Sequence, residues 1–289
     1  MQELLSLGFS RLELSVHLTE AMLSEVYAMV SSGRVTVGSL HNYCPVPPGV
    51  DPKGDLWSVL QLSSTDTAER AAAVVLTKTT IDWAARLNAR SVVLHLGTVP
   101  FHGDKYQVFD LVRQGRSDEA KQLLRGHLMQ RSITREPYLE SLILSLQELA
   151  CHAENAGIML GCENRFFYAE IPAIDEFKTI FECIKSPVLG YWHDTGHAHV
   201  AEVLGIATQE EFLDMYGDKL VGMHIHDALG LDDHRALGKG EIDFARLRRY
   251  ILPDTQLVLE VHGRASAQDL IDSRRTVENW AAIACNTDS

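Results

Sequence analysis

Four acidic or histidine side chains stand at the ends of short apolar runs of the sequence: Glu163, Asp194, His224 and Glu260. Runs of this kind, such as residues 158–163, are typical of buried parallel strands. A charged group on a buried strand is costly unless it is paired or binds a metal ion. Three carboxylates and one imidazole are suitable ligands for a divalent cation. We therefore predict that these four residues bind a divalent metal ion.

The apolar run at residues 188–194 ends in the motif Asp194-Thr195-Gly196-His197. It places a carboxylate and an imidazole three residues apart, just beyond a strand. Gly196 allows a sharp turn, so that both side chains can face one ion. A turn in which Asp194 caps the following backbone would explain the same motif. Both interpretations stay open.

The sixth run ends in His224-Ile225-His226-Asp227. Alternation along a strand places His224 and His226 on one face and Ile225 on the other. His226 is a second ligand, a hydrogen-bond donor to a substrate, or a core histidine. Asp227 is expected to orient a neighbouring group or to cap a turn.

Further polar side chains lie close to these motifs in the sequence. Arg165 lies two residues after Glu163, so its side chain is expected to point to the same side of the strand. It either binds an anionic group of a ligand or forms a salt bridge with a metal-binding carboxylate. Lys239 lies between two glycines, which allow close approach to an anionic ligand, although a solvated charged loop would look the same. His41 and His95 each end a strand and are candidates for substrate contacts.

These residues need a scaffold in which strands and helices alternate. Strands are expected at residues 11–16, 34–41, 91–96, 158–163, 188–194, 220–227 and 257–260. Helices are expected at residues 23–30, 64–87, 137–155 and 267–284, with a largely helical insertion at residues 101–132 and a long proline-rich loop at residues 42–54. This alternation predicts an α/β fold of the (β/α)8 TIM-barrel type in one domain, residues 1–289.

Only seven strands can be assigned, and residues 3–8 resemble the end of a helix that a strand should precede. The barrel is therefore expected to lack its first strand, or the chain to begin late. Two sheet edges would then face a gap and favour association, so a homodimer is possible.

Net charge, the length of apolar stretches and the distribution of cysteines limit the kinds of partner and compartment expected for this protein. The net charge of −13 makes nucleic acid an improbable partner. No apolar stretch reaches the roughly 18 residues that a membrane helix needs, and residues 1–4 contain no basic side chain, so neither a membrane helix nor a secretory leader is expected. The five scattered cysteines favour free thiols in the cytoplasm.

Taken together, the motifs resemble the xylose isomerase-like barrel superfamily. The resemblance runs from Leu12 to Glu260 and is carried by Glu163-Asn164-Arg165, Asp194-Thr195-Gly196-His197, His224-Ile225-His226-Asp227, and His234 followed by residues 237–244. The superfamily contains sugar isomerases, ketose 3-epimerases, inosose dehydratase-like proteins and type IV apurinic endonucleases. A missing first strand departs from its pattern.

The resemblance implies two competing activities. Isomerases and epimerases use one essential ion, held by the positions that match Glu163, Asp194, His224 and Glu260. The endonucleases use three zinc ions, and the matching ligand set is larger: His41, His95, Glu163, Asp194, His197, His224, Asp232, His234 and Glu260. In those enzymes an apolar-Asn-Leu segment follows the first histidine, whereas here Tyr43 precedes a proline-rich insertion. This difference favours a small sugar or polyol substrate.

The expected reaction is proton transfer through a metal-stabilised enediolate. Glu163 and Glu260 would move the proton, and His197 would hydrogen-bond the reacting oxygen. Arg165, His226 or Lys239 would hold the far end of the substrate. The mixed ligands suit Mn²⁺, Zn²⁺, Mg²⁺ or Co²⁺ as the cofactor.

Overall fold

The protein forms seven parallel strands that curve into a nearly closed barrel, which confirms the predicted fold class. The computed structural model describes residues 2–54, 60–263 and 265–286, without the side chains of residues 285 and 286. The barrel strands are β1 (Arg11–Leu14), β2 (Thr36–His41), β3 (Ser91–Leu94), β4 (Met159–Glu163), β5 (Leu189–Asp194), β6 (Leu220–Ile225) and β9 (Gln256–Leu259), and a separate hairpin contains β7 (Asp227–Leu229) and β8 (Asp232–Arg235).

Helices cover the outside of the barrel. They are α1 (Gln2–Ser6), α2 (Glu20–Ser31), α3 (Thr67–Arg86), α4 (Lys105–Arg113), α5 (Ser117–Thr134), α6 (Glu136–Ala156), α7 (Ile174–Cys183), α8 (Thr195–Val203), α9 (Gln209–Tyr216), α10 (Phe244–Leu247) and α11 (Ala267–Asn286). The main apolar core lies between these helices and the outer face of the sheet. Among the described residues, no helix is both long and apolar enough to cross a membrane.

Local sequence signals explain where the helices begin and end. The side chain of Asp66 accepts hydrogen bonds from the backbone N–H groups of Ala68 and Glu69, at 2.8 and 3.2 Å, and so caps α3. Helix α6 ends at Gly157, whose φ of 68° is in the left-handed region that glycine adopts easily. Both boundaries agree with the prediction to within a few residues.

Two regions differ from the expected elements. The predicted sixth strand ends at Ile225, and the following residues form the antiparallel hairpin of β7 and β8 instead of continuing the strand. The insertion at residues 101–132 contains two helices, α4 and α5, which pack on each other. Trp57, expected to anchor a loop or the core, lies outside the described residues.

The barrel is open along one seam in the part of the chain that the structure describes. Strand β1 pairs only with β2, and β9 only with β6, so their other edges face a cleft of about 730 Å³. The lining of this cleft includes Leu12 of β1 and Leu257 of β9 together with Glu13 and Glu260. The expected gap between two sheet edges is therefore present.

Trp192 fills the middle of the barrel below the strand ends. Its ring occupies the space that a β-carbon would need at Gly161 of β4 and at Gly222 of β6, at 2.9 and 2.4 Å from ring atoms. The indole lies 5.1 Å from the ring of His224, measured between centroids. A larger residue at either glycine would displace this tryptophan, which supports the polar cluster above it.

Candidate metal and catalytic centre

The four predicted ligands converge at the carboxyl ends of β4, β5, β6 and β9. Nδ1 of His224 lies 2.7 Å from Oε1 of Glu163 and 3.1 Å from Oε2 of Glu260. The same nitrogen lies 3.6 Å from Oδ2 of Asp194. Three of the four residues are fully buried, whereas the side chain of Glu260 is 18% exposed. Three carboxylates thus surround one imidazole nitrogen.

The other nitrogen of His224 contacts a carboxylate that the sequence analysis missed. Nε2 of His224 lies 2.9 Å from Oε1 of Glu13, near the end of β1. The second oxygen of Glu13 accepts a hydrogen bond from the hydroxyl of Ser39 at 2.6 Å. The imidazole is therefore held between Glu13 on one side and three further carboxylates on the other.

Arg165 forms the salt bridge that was one of its two predicted roles. Its guanidinium donates to Oε2 of Glu163 and, through NH2 at 3.1 Å and Nε at 3.3 Å, to Oε1 of Glu170. Nε2 of His95 lies 2.8 Å from the same oxygen of Glu163. The charge of Arg165 is therefore directed at two carboxylates of the protein.

Asp194 connects strand β5 to both neighbouring motifs. Its carboxylate caps α8 by accepting from the backbone N–H of His197 at 2.7 Å, which confirms the cap interpretation. The ligand interpretation stays a prediction. Nε2 of His226 lies 3.0 Å from each oxygen of Asp194. The ring of His226 lies so close to Gly196 that a β-carbon at this position would overlap it. A residue larger than glycine would therefore displace His226.

The hairpin brings His234 to the centre, but next to a different aspartate from the one expected. Nδ1 of His234 lies 3.0 Å from Oδ2 of Asp233, which is also 3.7 Å from Nε2 of His197. Asp232 instead pairs with Arg235 at 2.6 Å. His234 adopts a left-handed φ of 54° in this hairpin, and the neighbouring Asp233 contacts it where Asp232 was expected. The role of Asp232 as a metal ligand stays a prediction that its pairing with Arg235 does not support.

Three histidine rings form a stack at the edge of the centre. The ring of His234 lies 4.2 Å from that of His226 and 3.9 Å from that of His262, with interplanar angles of 6° and 5°. His226 is fully buried, which makes a direct contact with a substrate unfavourable. Its position indicates a role beside Asp194 and His234.

Lys239 does not face the centre. Its ammonium lies 3.0 Å from Oδ1 of Asp269 on α11. The loop around it is organised by Asp227, whose carboxylate accepts from the backbone N–H groups of Gly238 and Gly240 at 3.0 and 2.8 Å. The glycines therefore bind a carboxylate of the protein, and the contact of Lys239 with a substrate stays a prediction that its pairing with Asp269 does not support.

Aromatic side chains form one wall beside the centre. Phe166 follows Glu163 and lies 5.9 Å from the ring of His197. Phe109 of α4 stacks on Phe166 at 5.4 Å, and Tyr168 is 6.4 Å from Phe109. The two helices of the insertion thus cover the residues that follow β4 with an apolar layer.

Electrostatic interactions keep the carboxylates ionised. Burial would raise the pKa of Glu163, but Arg165 and His95 outweigh burial and hold the pKa well below its ordinary value. Burial likewise opposes ionisation of Asp194, and His197 and His226 lower its pKa well below the ordinary value. Burial and Arg165 lower the pKa of His95 to about 3, so this imidazole is neutral near pH 7.

The donor set fits a divalent cation. Ligand atoms around an ion with bonds of about 2.1 Å are separated by roughly 3.0–3.4 Å, close to the spacing of donor atoms around Nδ1 of His224. Four groups have ligand atoms within 4.8 Å of one another: His41, Glu163, His224 and Glu260; Asp194, His226, His234 and Glu260; His197, Asp233 and His234; Glu163, Asp194 and His197. His41 belongs to the first of these groups, and its Nε2 lies 3.9 Å from Oε1 of Glu260.

Three residues of the centre were not found by sequence reasoning. They are Glu13, Glu170 and Asp233. Glu13 had a readable signal, because the alternation in Arg11-Leu12-Glu13-Leu14 places it on the inner face with Arg11. Glu170 and Asp233 lie in an irregular segment and in a hairpin, where the direction of a side chain depends on tertiary structure and not on alternation along a strand.

The sequence matches the family model of the xylose isomerase-like TIM barrel over residues 1–279. Among curated proteins, it is 26% identical over 233 residues to the uncharacterised protein y4fM of Sinorhizobium fredii (strain NBRC 101917 / NGR234), covering 80% of this chain. The chain spans 63% of the length of that relative.

Solved structures share the fold at low sequence identity. A D-tagatose 3-epimerase-like protein superposes with a TM-score of 0.70 at 19% identity, covering 100% of this chain and 94% of that one. An L-ribulose 3-epimerase gives a TM-score of 0.67 at 17% identity, with coverage of 99% and 89%. An IOLI protein with a binding zinc atom gives 0.65 at 14% identity, with coverage of 98% and 92%. With the family model spanning residues 1–279, the chain belongs to the xylose isomerase-like TIM barrel family.

Proposed function

We propose that the protein is a divalent-metal-dependent isomerase or epimerase of a small, unphosphorylated sugar or polyol-derived ketone. One observation carries the proposal. Carboxylate oxygens of Glu163, Asp194 and Glu260 lie within 3.6 Å of Nδ1 of His224, at the carboxyl ends of barrel strands, where this architecture builds active sites. The structural similarity to a D-tagatose 3-epimerase-like protein and to an L-ribulose 3-epimerase is consistent with this activity.

The same four residues would hold the ion. A bound divalent cation supplies Lewis acidity, which polarises a substrate carbonyl and acidifies the adjacent C–H bond. Mn²⁺, Zn²⁺, Mg²⁺ and Co²⁺ all accept mixed oxygen and nitrogen ligands. The choice among them belongs to experiment.

Glu260 is the best placed group for proton removal. Its side chain is the most exposed of the four, at 18%, and contact with His224 and His234 keeps its pKa below the ordinary value despite burial. It would take the proton from the carbon next to the carbonyl and leave an enediolate. Return of that proton to the neighbouring carbon gives the isomer. Delivery of a proton from Glu163 to the opposite face of the carbon that lost its proton would give the epimer. Glu260, the more exposed of the two, would exchange its proton with solvent and pass one to Glu163 before the next turnover.

His197 is placed to assist at the reacting oxygen. Nδ1 of His197 lies 3.0 Å from the backbone carbonyl of Asn164, which leaves Nε2 directed toward Asp233 at 3.7 Å. Phe166 borders this side of the centre and would exclude water from the reacting atoms.

Charge distribution favours a neutral substrate. Three basic side chains close to the centre are engaged by carboxylates: Arg165 by Glu163 and Glu170, Lys239 by Asp269 and Arg235 by Asp232. A phosphate group could use one of these three cations only if that cation left its carboxylate, and the approach of a phosphate to so many carboxylates would be repulsive. We therefore assign an unphosphorylated substrate.

A phosphodiesterase with several metal ions is the second candidate. The group of His197, Asp233 and His234 favours it, since it could hold an ion in addition to the one beside His224. Two observations weigh against it. Arg165 occupies the outer oxygen of Glu163, and the four ligand groups found among the described residues do not include His95.

The test is solvent deuterium exchange by the metal-loaded protein. A panel of unphosphorylated ketopentoses, ketohexoses and inososes is incubated in D₂O with Mn²⁺-loaded protein, and NMR detects deuterium next to the carbonyl. We expect exchange with at least one compound, its loss in Glu260→Gln, and full retention in Glu25→Gln, an exposed change on α2. Incision of an abasic-site oligonucleotide without exchange would instead establish the phosphodiesterase. Metal binding without either activity would overturn both candidates.

A further inference from the structure

We propose that Glu13 is a positioning residue that fixes the tautomer of His224, so that Nδ1 of this histidine is the nitrogen offered to the metal ion. The inference deepens the proposed function and rests on it only through the metal site. It concerns a residue on β1, whereas the four predicted ligands lie at the ends of β4, β5, β6 and β9.

The contacts of Glu13 leave its carboxylate little freedom. One oxygen lies 2.9 Å from Nε2 of His224, and the other accepts the hydroxyl of Ser39 at 2.6 Å. Glu13 is the register partner of Ser39 in the pairing of β1 with β2, so the backbone itself places the two side chains together. The side chain of Glu13 is only 9% exposed. Each oxygen thus has its own donor.

A neutral imidazole carries one N–H and one lone pair. If the Glu13 carboxylate accepts the hydrogen at Nε2, the lone pair lies at Nδ1. That nitrogen faces Glu163 and Glu260, at 2.7 and 3.1 Å. Without a cation, the lone pair at Nδ1 would be repelled by the carboxylate oxygens around it. A cation bound between them would be coordinated by both the nitrogen and the oxygens. Carboxylates commonly orient metal-binding histidines in this way.

The ring plane of His224 is also restricted. His41 stacks on it at 5.0 Å with an interplanar angle of 27°, and Trp192 contacts it at 5.1 Å with an angle of 64°. A flip of the imidazole about its Cβ–Cγ bond would put Cδ2 in the place of Nδ1 and Cε1 in the place of Nε2, so that the contacts of Nδ1 with Glu163 and of Nε2 with Glu13 would both be lost. The surroundings therefore favour one orientation.

Glu13 could alternatively be a ligand itself. Its Oε1 lies 3.7 Å from Nε2 of His41. However, the described residues yield four groups of ligand atoms within 4.8 Å, and Glu13 belongs to none of them. Because Nε2 of His224 stands between Glu13 and the other carboxylates, the geometry assigns orientation and not coordination to Glu13.

The first test is metal affinity, which does not depend on activity. Mn²⁺ is titrated calorimetrically into metal-free wild-type protein, Glu13→Ala and Glu25→Gln, the exposed control. We expect Glu13→Ala to bind Mn²⁺ about 10- to 100-fold more weakly and Glu25→Gln to bind as the wild type does. Affinity of Glu13→Ala within a factor of two of the wild type would overturn the inference. Failure of the wild type to bind any divalent ion would overturn both it and the proposed function.

The second test uses only the wild-type chain, in case Glu13→Ala does not fold. A crystal structure of the Zn²⁺-loaded protein shows directly which nitrogen of His224 binds the ion. We expect Zn²⁺ at Nδ1, with Glu13 on Nε2 and outside the coordination sphere. Zn²⁺ at Nε2, or a bond from Glu13 to the ion, would contradict the inference while leaving the metal-dependent function intact.

Discussion

Arg131 and Glu176 form a two-pronged ion pair inside the protein, with N–O distances of 2.7 and 2.8 Å. Arg131 lies on α5 of the insertion and Glu176 on α7, and their side chains are 3% and 1% exposed. Arg131 also donates to the backbone carbonyl of Glu170, the residue whose carboxylate holds Arg165. The insertion is thus connected to the surroundings of Glu163.

Loss of one partner of this pair should be costly. Arg131→Met leaves the Glu176 carboxylate buried without its cation, and we expect a loss of about 3–5 kcal/mol in the free energy of unfolding. Urea unfolding measures this loss. The control is Arg116→Met, which removes the exposed pair with Glu119 and should leave the free energy of unfolding nearly unchanged. Similar losses in the two variants would show that the buried pair stabilises the protein no more than the exposed pair does.

Acid should weaken the contact between the insertion and the barrel. His127 of α5 is 4% exposed, and its Nδ1 lies 2.8 Å from the hydroxyl of Tyr168. Burial lowers the pKa of His127 below its ordinary value. The unfolded chain therefore binds a proton more readily than the folded protein, so stability is present at high pH and falls as pH drops through about 6.5.

Urea midpoints at pH 8 and pH 5.5 test this dependence. We expect a smaller midpoint at pH 5.5 for the wild type and a reduced difference between the two pH values for His127→Gln, which can still hydrogen-bond the hydroxyl of Tyr168. An unchanged pH dependence in the variant would assign the acid sensitivity to other groups.

The cysteines should divide into reactive and protected thiols. Cys151 and Cys183 are exposed, whereas Cys44 and Cys162 are buried, and burial raises the pKa of each buried thiol to about 12. Since the thiolate is the reactive species, a disulfide reagent such as DTNB at pH 8 should modify only the exposed pair before unfolding. The measurement is made in a Cys285→Ser background, because the side chain of Cys285 lies outside the described residues. Rapid modification of Cys44 or Cys162 would mean that the core opens readily.

The strand ends were predictable because burial and alternation leave a strong pattern in the sequence. Glu163 and Asp194 end β4 and β5, and His224 lies one residue before the end of β6. These strands are buried apart from the first residues of β4 and β6, so a charged or histidine residue there stood out against its apolar neighbours. Glu13 ends no such run, and a four-residue strand with an exposed first residue is less conspicuous. Its role required the pairing of β1 with β2 and the approach of His224 from the far side of the barrel.

Side chains in loops were less predictable, since their facing depends on contacts distant in sequence. Lys239 looked suited to an anion because of its glycine neighbours, but those glycines surround the carboxylate of Asp227. Asp232 and Asp233 are adjacent, and only the left-handed turn at His234 decides which of them reaches the centre. Arg165 had two open roles, and its distance to Glu170 was needed to choose between them.

Metal stoichiometry tests the central claim most directly. Metal-free protein is titrated with Mn²⁺ and, separately, with Zn²⁺, and the bound ions are counted by elemental analysis after removal of excess metal. We expect one tightly bound ion per chain, lost in Glu163→Gln and in Asp194→Asn but retained in Glu25→Gln. Three tightly bound zinc ions would contradict the single-ion isomerase and favour the phosphodiesterase, and no tightly bound ion in the wild type would contradict a metal-dependent enzyme altogether.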